Sequence, residues 1–201
     1  GASGRILNAV LESVGLDRRD CYITNVVQVR PPANNFGVFY DDTKRTSPNG
    51  FLRAQRSRLI EELIRVKPNV VVTLGAEALK ALTGRGSIDK WRGSIITDGA
   101  PPYPHKTIPT YHPAFVMRMY EKRPIMELDL LRAKEESDSP EFYPTSYDFI
   151  LSPTFDQVIQ SLSSIRDGDT ITFDIETTEG FILRDFQLKE GQFGIFVEGP
   201  Q

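Results

Sequence analysis

Cysteine occurs once in the 201 residues, at Cys21, histidine twice and tryptophan once. A lone thiol excludes an internal disulfide and any cysteine-rich metal cluster. It also makes a reducing, cytoplasmic setting the default. Long hydrophobic runs are missing too. Runs such as Val70-Val71-Val72 fall far short of the ~20 residues that a membrane-spanning helix requires. No charged-then-apolar leader opens the chain, and no repeat or low-complexity tract follows.

What is present is ordinary in bulk and uneven in detail. Apolar residues make up 39% and charged residues 25%, and the length suffices for one good core and a second small one. The chain opens inside a helical pattern without methionine and stops after a strand-like run, so a piece of a longer protein is expected. The net charge of −3 hides an asymmetry. Residues 1–134 carry 21 Lys and Arg against 13 Asp and Glu, whereas residues 135–201 carry 3 against 14. A basic first part suits a polyanion, and an acidic second part suits bound metal or a solvated linker. The same imbalance would also arise from charge that is merely uneven.

Hydrophobic spacing divides the chain into alternating elements. Ile6, Leu7, Val10, Leu11 and Val14 share one face of a helix over 3–14. The β-rich stretch CYITNVVQV (21–29) reads as a buried strand. A polar, proline-containing loop over 30–50 leads to a helix starting at Ser47-Pro48 and lasting to Pro68. NVVVTL (69–74) is a second strand, turned at Gly75 into a helix over 76–82. SIIT (94–97) and KTIPT (106–110) are short strands, and residues 113–134 are helical with a break near Pro124. This alternation predicts an α/β fold, a three-layer α/β/α domain with a mainly parallel central sheet. The acidic stretch 135–149 is the expected linker. A helix from Thr154 to about Ile165 and a strand over 170–178 follow it.

Four places could carry chemistry. Asn25 lies among apolar residues, where an unpaired amide costs roughly 1–3 kcal/mol. It pairs either with a pyrimidine-like edge or with loop backbone. The strand–glycine–helix turn at Gly75 could hold an anion, but it lacks the glycines and lysine of a phosphate loop, which favours a tight turn. His112 follows a strand and precedes Pro113, where open α/β sheets bind ligands. It could be a donor, an acid or base, a metal ligand with only His105 to help it, or a solvated turn residue. Asp174 and Glu176 stand two apart on a strand, so they face the same side and could hold Mg²⁺, or could simply be exposed.

Taken in order, GASGRILNAVLESVGLDRRDCYITNVVQVRPP, KPNVVVTLGAEALKAL, WRG and IPTYHPAF resemble the uracil-DNA glycosylase superfamily, and its family 4 type most. The likeness spans residues 1–134, a domain cut short at its N-terminus. It implies that Asn25 reads the uracil edge and that His112 contacts the O2 side of uracil as the catalytic donor. It also implies that Ala114 to Arg118 enters or grips DNA, single-stranded or template. The family's acidic water-positioning motif and uracil-stacking phenylalanine would lie upstream of Gly1. Its iron–sulfur cysteines are missing: Val29 stands at one position, the helix around Gln55 lacks another, and the upstream pair would lie before Gly1, so no cluster is expected here. The loop from Ala33 to Thr46 is long enough to take over the structural role of a cluster.

ITFDIETTEG resembles the first motif of the DnaQ-like 3′–5′ exonucleases. The likeness covers about residues 150–201 and implies the start of an RNase H-like domain with Asp174 and Glu176 as ligands for Mg²⁺ or Mn²⁺. The family's other acidic motifs are absent, so exonuclease and polymerase activities would need downstream parts. A glycosylase-like domain leading into a proofreading exonuclease is similar to certain bacteriophage A-family DNA polymerases. The alternative is a catalytically silent module that binds DNA or uracil-containing template.

Overall fold

The apolar spacing near the start produces the helix it predicts. A computed structural model describes residues 1–98, 106–144 and 152–169, and in it α1 (Ala2–Ser13) buries Leu7, Val10 and Leu11. The second helix, α2 (Gly50–Val66), begins later than Ser47-Pro48. Asn49 caps it, its side-chain oxygen accepting the Leu52 N–H at 2.9 Å, while Pro48 forms an isolated bridge with Tyr40. Lys67 then adopts a left-handed conformation, φ 52°, and Pro68 prevents continuation.

Two strands form a parallel pair, β1 (Val70–Leu74) and β2 (Lys106–Thr110), in register from Val70 opposite Lys106 to Leu74 opposite Thr110. The connection carries α3 (Ala76–Thr83) and the single turn α4 (Ile88–Trp91). After β2 come α5 (Pro113–Arg118) and α6 (Arg123–Glu135), and α3 and α6 both pack on the sheet. The fold is α/β, largely helical with a small parallel sheet among the described residues. Its main core joins Leu7, Val10 and Leu11 to Tyr111, Val116, Met126 and Leu130, with Val72 and Leu74 of β1 against them. Each such side chain taken out of water stabilises the fold by about 1.5–3 kcal/mol.

Three expectations need correction. Residues 21–29 form no strand: Tyr22, Ile23 and Val29 are exposed, and no neighbouring strand offers a ladder among the described residues. β-propensity reflects fit to a pleated, half-buried surface, and without a partner it specifies nothing. Residues 94–97 contribute only one antiparallel bridge, Ile96 to Thr107. The break in the last helical stretch lies at Met119–Lys122, ahead of Pro124, which sits in the first turn of α6, where its missing N–H costs nothing.

Part of the acidic stretch after 135 is fastened down. Lys106, only 3% exposed, pairs with Glu136 at 2.8 Å and donates to the Glu141 carbonyl at 2.9 Å, and Asn69 donates to the Ser137 carbonyl. The chain divides into two units, Gly1–Pro144 and Thr145–Gln201. In the second, α7 (Phe155–Ser163) begins with a reciprocal cap between Thr154 and Gln157. The predicted metal ligands Asp174 and Glu176 lie outside the described residues. Among those residues, no helix is long and apolar enough to cross a membrane.

Candidate active site

The parallel pairing of β1 and β2 brings two strand-to-helix turns to one edge of the sheet. At the end of β1, Gly75 has φ +89°, and its N–H donates to the Thr110 carbonyl at 2.8 Å. A Cβ placed on Gly75 would lie 3.0 Å from the His112 Cβ. The turn is therefore tight because the backbone must pass the histidine closely, and no side chain caps α3. At the end of β2, His112 is the N-cap of α5. Its Nδ1 accepts the Ala114 N–H at 3.1 Å, and Pro113 fills the first helical position.

That bond sets the chemistry of the ring. A nitrogen that accepts an N–H carries a lone pair, so the proton of the neutral imidazole resides on Nε2, which is left as a donor. Although His112 is exposed by area, the protein packed around the ring lowers its pKa from the ordinary 6.5, and the charge of Arg118 lowers it further. Capping and titration thus favour the same form, a neutral histidine offering Nε2–H beyond the carboxyl ends of parallel strands.

The residues on either side of His112 are held firmly. Thr110 donates to Asp129 at 2.7 Å. Asp129, 2% exposed, receives both Arg92 Nε, at 3.0 Å, and Arg92 Nη2. Gly93, at φ +71°, donates to the Pro109 carbonyl, and a Cβ there would fall 2.7 Å from Asp129 Oδ1. Tyr111 donates to Asp89 of α4 at 2.7 Å and packs on Phe115 with centroids 5.0 Å apart. Its phenol pKa is raised by that hydrogen bond and by burial. The sequence reading missed Asp89, Arg92 and Asp129. One signal was available: Asp129 falls on the apolar face of α6 with Met126, Leu130 and Ala133, where a carboxylate needs a partner.

Of the predicted site residues, His112, Ala114 and Arg118 lie together on α5, with Ala114 half-buried and Arg118 exposed. Asn25 was expected inside a buried strand; it is exposed on the irregular segment 21–29, and its backbone carbonyl accepts Arg58 Nη2 at 2.7 Å. Its side chain enters no hydrogen bond among the described residues. With no ladder to bury this segment, the amide is left free to meet another molecule.

Residues 1–134 match the family model described as the uracil DNA glycosylase superfamily. The chain belongs to that superfamily. It is similar to the type-4 uracil-DNA glycosylase of Saccharolobus solfataricus, 31% identical over 145 residues, which cover 69% of this chain and 62% of that one. The corresponding protein of Sulfurisphaera tokodaii is 31% identical over 156 residues, 73% and 65% of the two chains. That of Thermotoga maritima is 34% identical over 140 residues, 67% and 65%. The chain thus spans less than two thirds of the length of these relatives.

An iron–sulfur cluster of the superfamily's family 4 type does not fit the residues present. Cys21 is the sole thiol in the sequence. Val29 is an exposed aliphatic residue, and the Gln55 side-chain oxygen is occupied by the Gln28 N–H at 3.3 Å. Among the described residues, no cluster of three metal-binding side chains occurs. The 33–46 loop is instead tied to α3 of this superfamily domain by side chains. Tyr40 and Arg45 both reach Glu77, at 3.1 and 2.8 Å, and Lys80 reaches the Arg45 carbonyl. Burial first, and Glu77 next, push the Tyr40 phenol up to about 12. Phe39 stacks on Phe51 of α2 at 5.2 Å.

Proposed function

We propose that the first unit hydrolyses the N-glycosidic bond of uracil in DNA, with His112 as the catalytic residue. The observation that carries this reading is the Ala114 N–H bond to His112 Nδ1, which leaves Nε2–H as a neutral donor at the carboxyl edge of the sheet. The target nucleotide leaves the base stack and enters the site. As the bond between C1′ and N1 breaks, the electron pair moves onto uracil and its O2 becomes anionic. Nε2–H meets that oxygen, water adds to C1′, and the proton the water releases neutralises the departing uracil anion. A donor already in place stabilises charge that exists only in the transition state, an effect worth roughly 10²–10³ in rate. The lowered pKa of His112 supports this role, because a neutral donor carries no hydration shell of a cation to be stripped.

Asn25 would read the uracil edge with its amide, whose donor and acceptor lie side by side. Ala114 to Arg118 would grip the flanking DNA, single-stranded or template. The excess of 21 basic over 13 acidic residues in 1–134 supports a phosphate-binding surface. In the larger setting, this unit stands at the front of a phage-type DNA polymerase acting in the cytoplasm. There Asp174 and Glu176 would bind Mg²⁺ or Mn²⁺ in the proofreading exonuclease; the sequence likeness of ITFDIETTEG is what supports that part. The glycosylase unit itself would use no metal.

The test is release of uracil from single-stranded DNA by the full-length protein, with the residues upstream of Gly1 included, and by its His112→Ala variant. Release by the wild type with a loss of about 10²-fold or more in the variant is expected. Equal rates would remove His112 from the mechanism. DNA binding without any release would leave a silent uracil-binding module of the polymerase.

A further inference from the structure

The segment 21–29 has no strand beside it, so its backbone groups must be satisfied by something else. Two residues on one face of α2, Gln55 and Arg58, reach that backbone, and Glu62 lies one turn further on the same face, the three being three and four apart and therefore stacked along the helix. Arg58 Nη2 donates to the carbonyls of Asn25, at 2.7 Å, and Val26, at 3.2 Å. Its Nε donates to the Gln55 side-chain oxygen at 3.2 Å, and the same oxygen accepts the Gln28 N–H at 3.3 Å. Its Nη1 pairs with Glu62 at 2.5 Å. Gln28 also donates back to the Thr24 hydroxyl at 3.2 Å.

Most of the guanidinium fork is engaged, and in one fixed orientation. Arg58 and Glu62 are both largely covered, with side chains 25% and 17% exposed. Burial by itself would raise the Glu62 pKa. The neighbouring Thr24 hydroxyl together with Arg58 and Arg65 outweighs that effect and holds the carboxyl below its usual range. A planar group locked from two sides on its own helix transmits that rigidity to whatever it binds on the third. What it binds is the peptide unit between Asn25 and Val26. The Asn25 side chain projects from this unit, free of internal partners.

We propose that Arg58 is a positioning residue, which Gln55 and Glu62 orient on α2 so that it fixes the Asn25 backbone and aims the Asn25 amide at the base. The clamp spans the same two stretches, around Val29 and around Gln55, that lack the ligands for an iron–sulfur cluster. Hydrogen bonds from one arginine hold them together. The role in base reading rests on the function proposed above for Asn25; the clamp itself does not.

Two measurements on the full-length protein separate these statements. Amide hydrogen exchange at Gln28, whose N–H rests on the Gln55 oxygen that Arg58 Nε also holds, tests the clamp without reference to activity. Arg58→Ala should raise exchange there by tenfold or more while α1 and β2 stay protected, and unchanged protection would overturn the clamp. Single-turnover release of uracil tests the positioning role. Arg58→Ala should lose roughly 10²-fold, as expected when a substrate-positioning group is displaced by about 1 Å. Arg58→Lys keeps the charge beside Glu62 but not the fork, so it should recover only part of the loss.

In the double variant with Asn25→Ala, the loss should not exceed that of Asn25→Ala alone. Additive losses would show that Arg58 does not act through Asn25. If the wild type releases no uracil while Arg58→Ala still speeds exchange of the Gln28 amide, the enzymatic reading falls and the clamp stands.

Discussion

His112 Nδ1 accepts the backbone N–H of Ala114 at 3.1 Å, so the same side chain that caps α5 presents its other nitrogen outward as a donor. Structure and chemistry are linked through one ring. A substitution that keeps the cap need not keep the donor. Asn and Asp are good caps but have no Nε2–H equivalent at that reach. His112→Asn is therefore expected to melt within a few degrees of the wild type yet to release uracil about as slowly as His112→Ala. Circular dichroism melting beside single-turnover kinetics checks this.

The titration of His112 carries a sign. Packing around the ring, and then Arg118, lowers its folded pKa below 6.5, so the unfolded chain takes up this proton first as the pH falls. The contribution of His112 to stability is therefore intact above about pH 6.5. It declines as the pH drops from there to the folded pKa, and then levels off. Protonation also removes the acceptor that caps α5. The imidazole should titrate with a midpoint below 6.5 in an NMR titration of the ring carbons, and a midpoint at or above 6.5 would refute the assignment.

Gly75→Ala should be costly at a distance from any ligand. The residue sits at φ +89°, and its new Cβ would meet the His112 Cβ at 3.0 Å. Strain of this kind costs on the order of 1–3 kcal/mol. Urea denaturation should show that loss, and uracil release should fall more than the stability change explains, because His112 is the atom group displaced.

Asp129→Ala leaves Arg92 without its carboxylate beneath the strand that leads to His112. Removing one partner of a buried pair costs about 3–5 kcal/mol. Asp129 is 2% exposed while Arg92 is 28% exposed, so water can reach the arginine and the lower end of that range is expected. Replacing both residues with apolar ones, Arg92→Met with Asp129→Leu, should recover most of the stability. It should not restore the hold on the Thr110 hydroxyl, so activity should remain low. Chemical denaturation and kinetics on the same samples distinguish the two effects.

Much of this arrangement is local and was legible in the residues themselves. The apolar spacing of α1, the Pro68 stop after α2, the Val70–Leu74 run and the His112-Pro113 boundary each follow from interactions a few residues apart. The α/β class follows from their alternation, and the place of His112 after a strand follows from the class. What tertiary structure decided is whatever needs a partner distant in sequence. CYITNVVQV has every local mark of a strand, yet it lacks a ladder and is held by Arg58, 33 residues beyond Asn25, so Asn25 is exposed where burial was expected. Asp129 and Arg92, 37 residues apart, meet only because α6 packs on the sheet. Gly75 comes within contact of His112, 37 residues on, only because β1 and β2 pair in parallel, and that close approach is something no local pattern in the chain specifies.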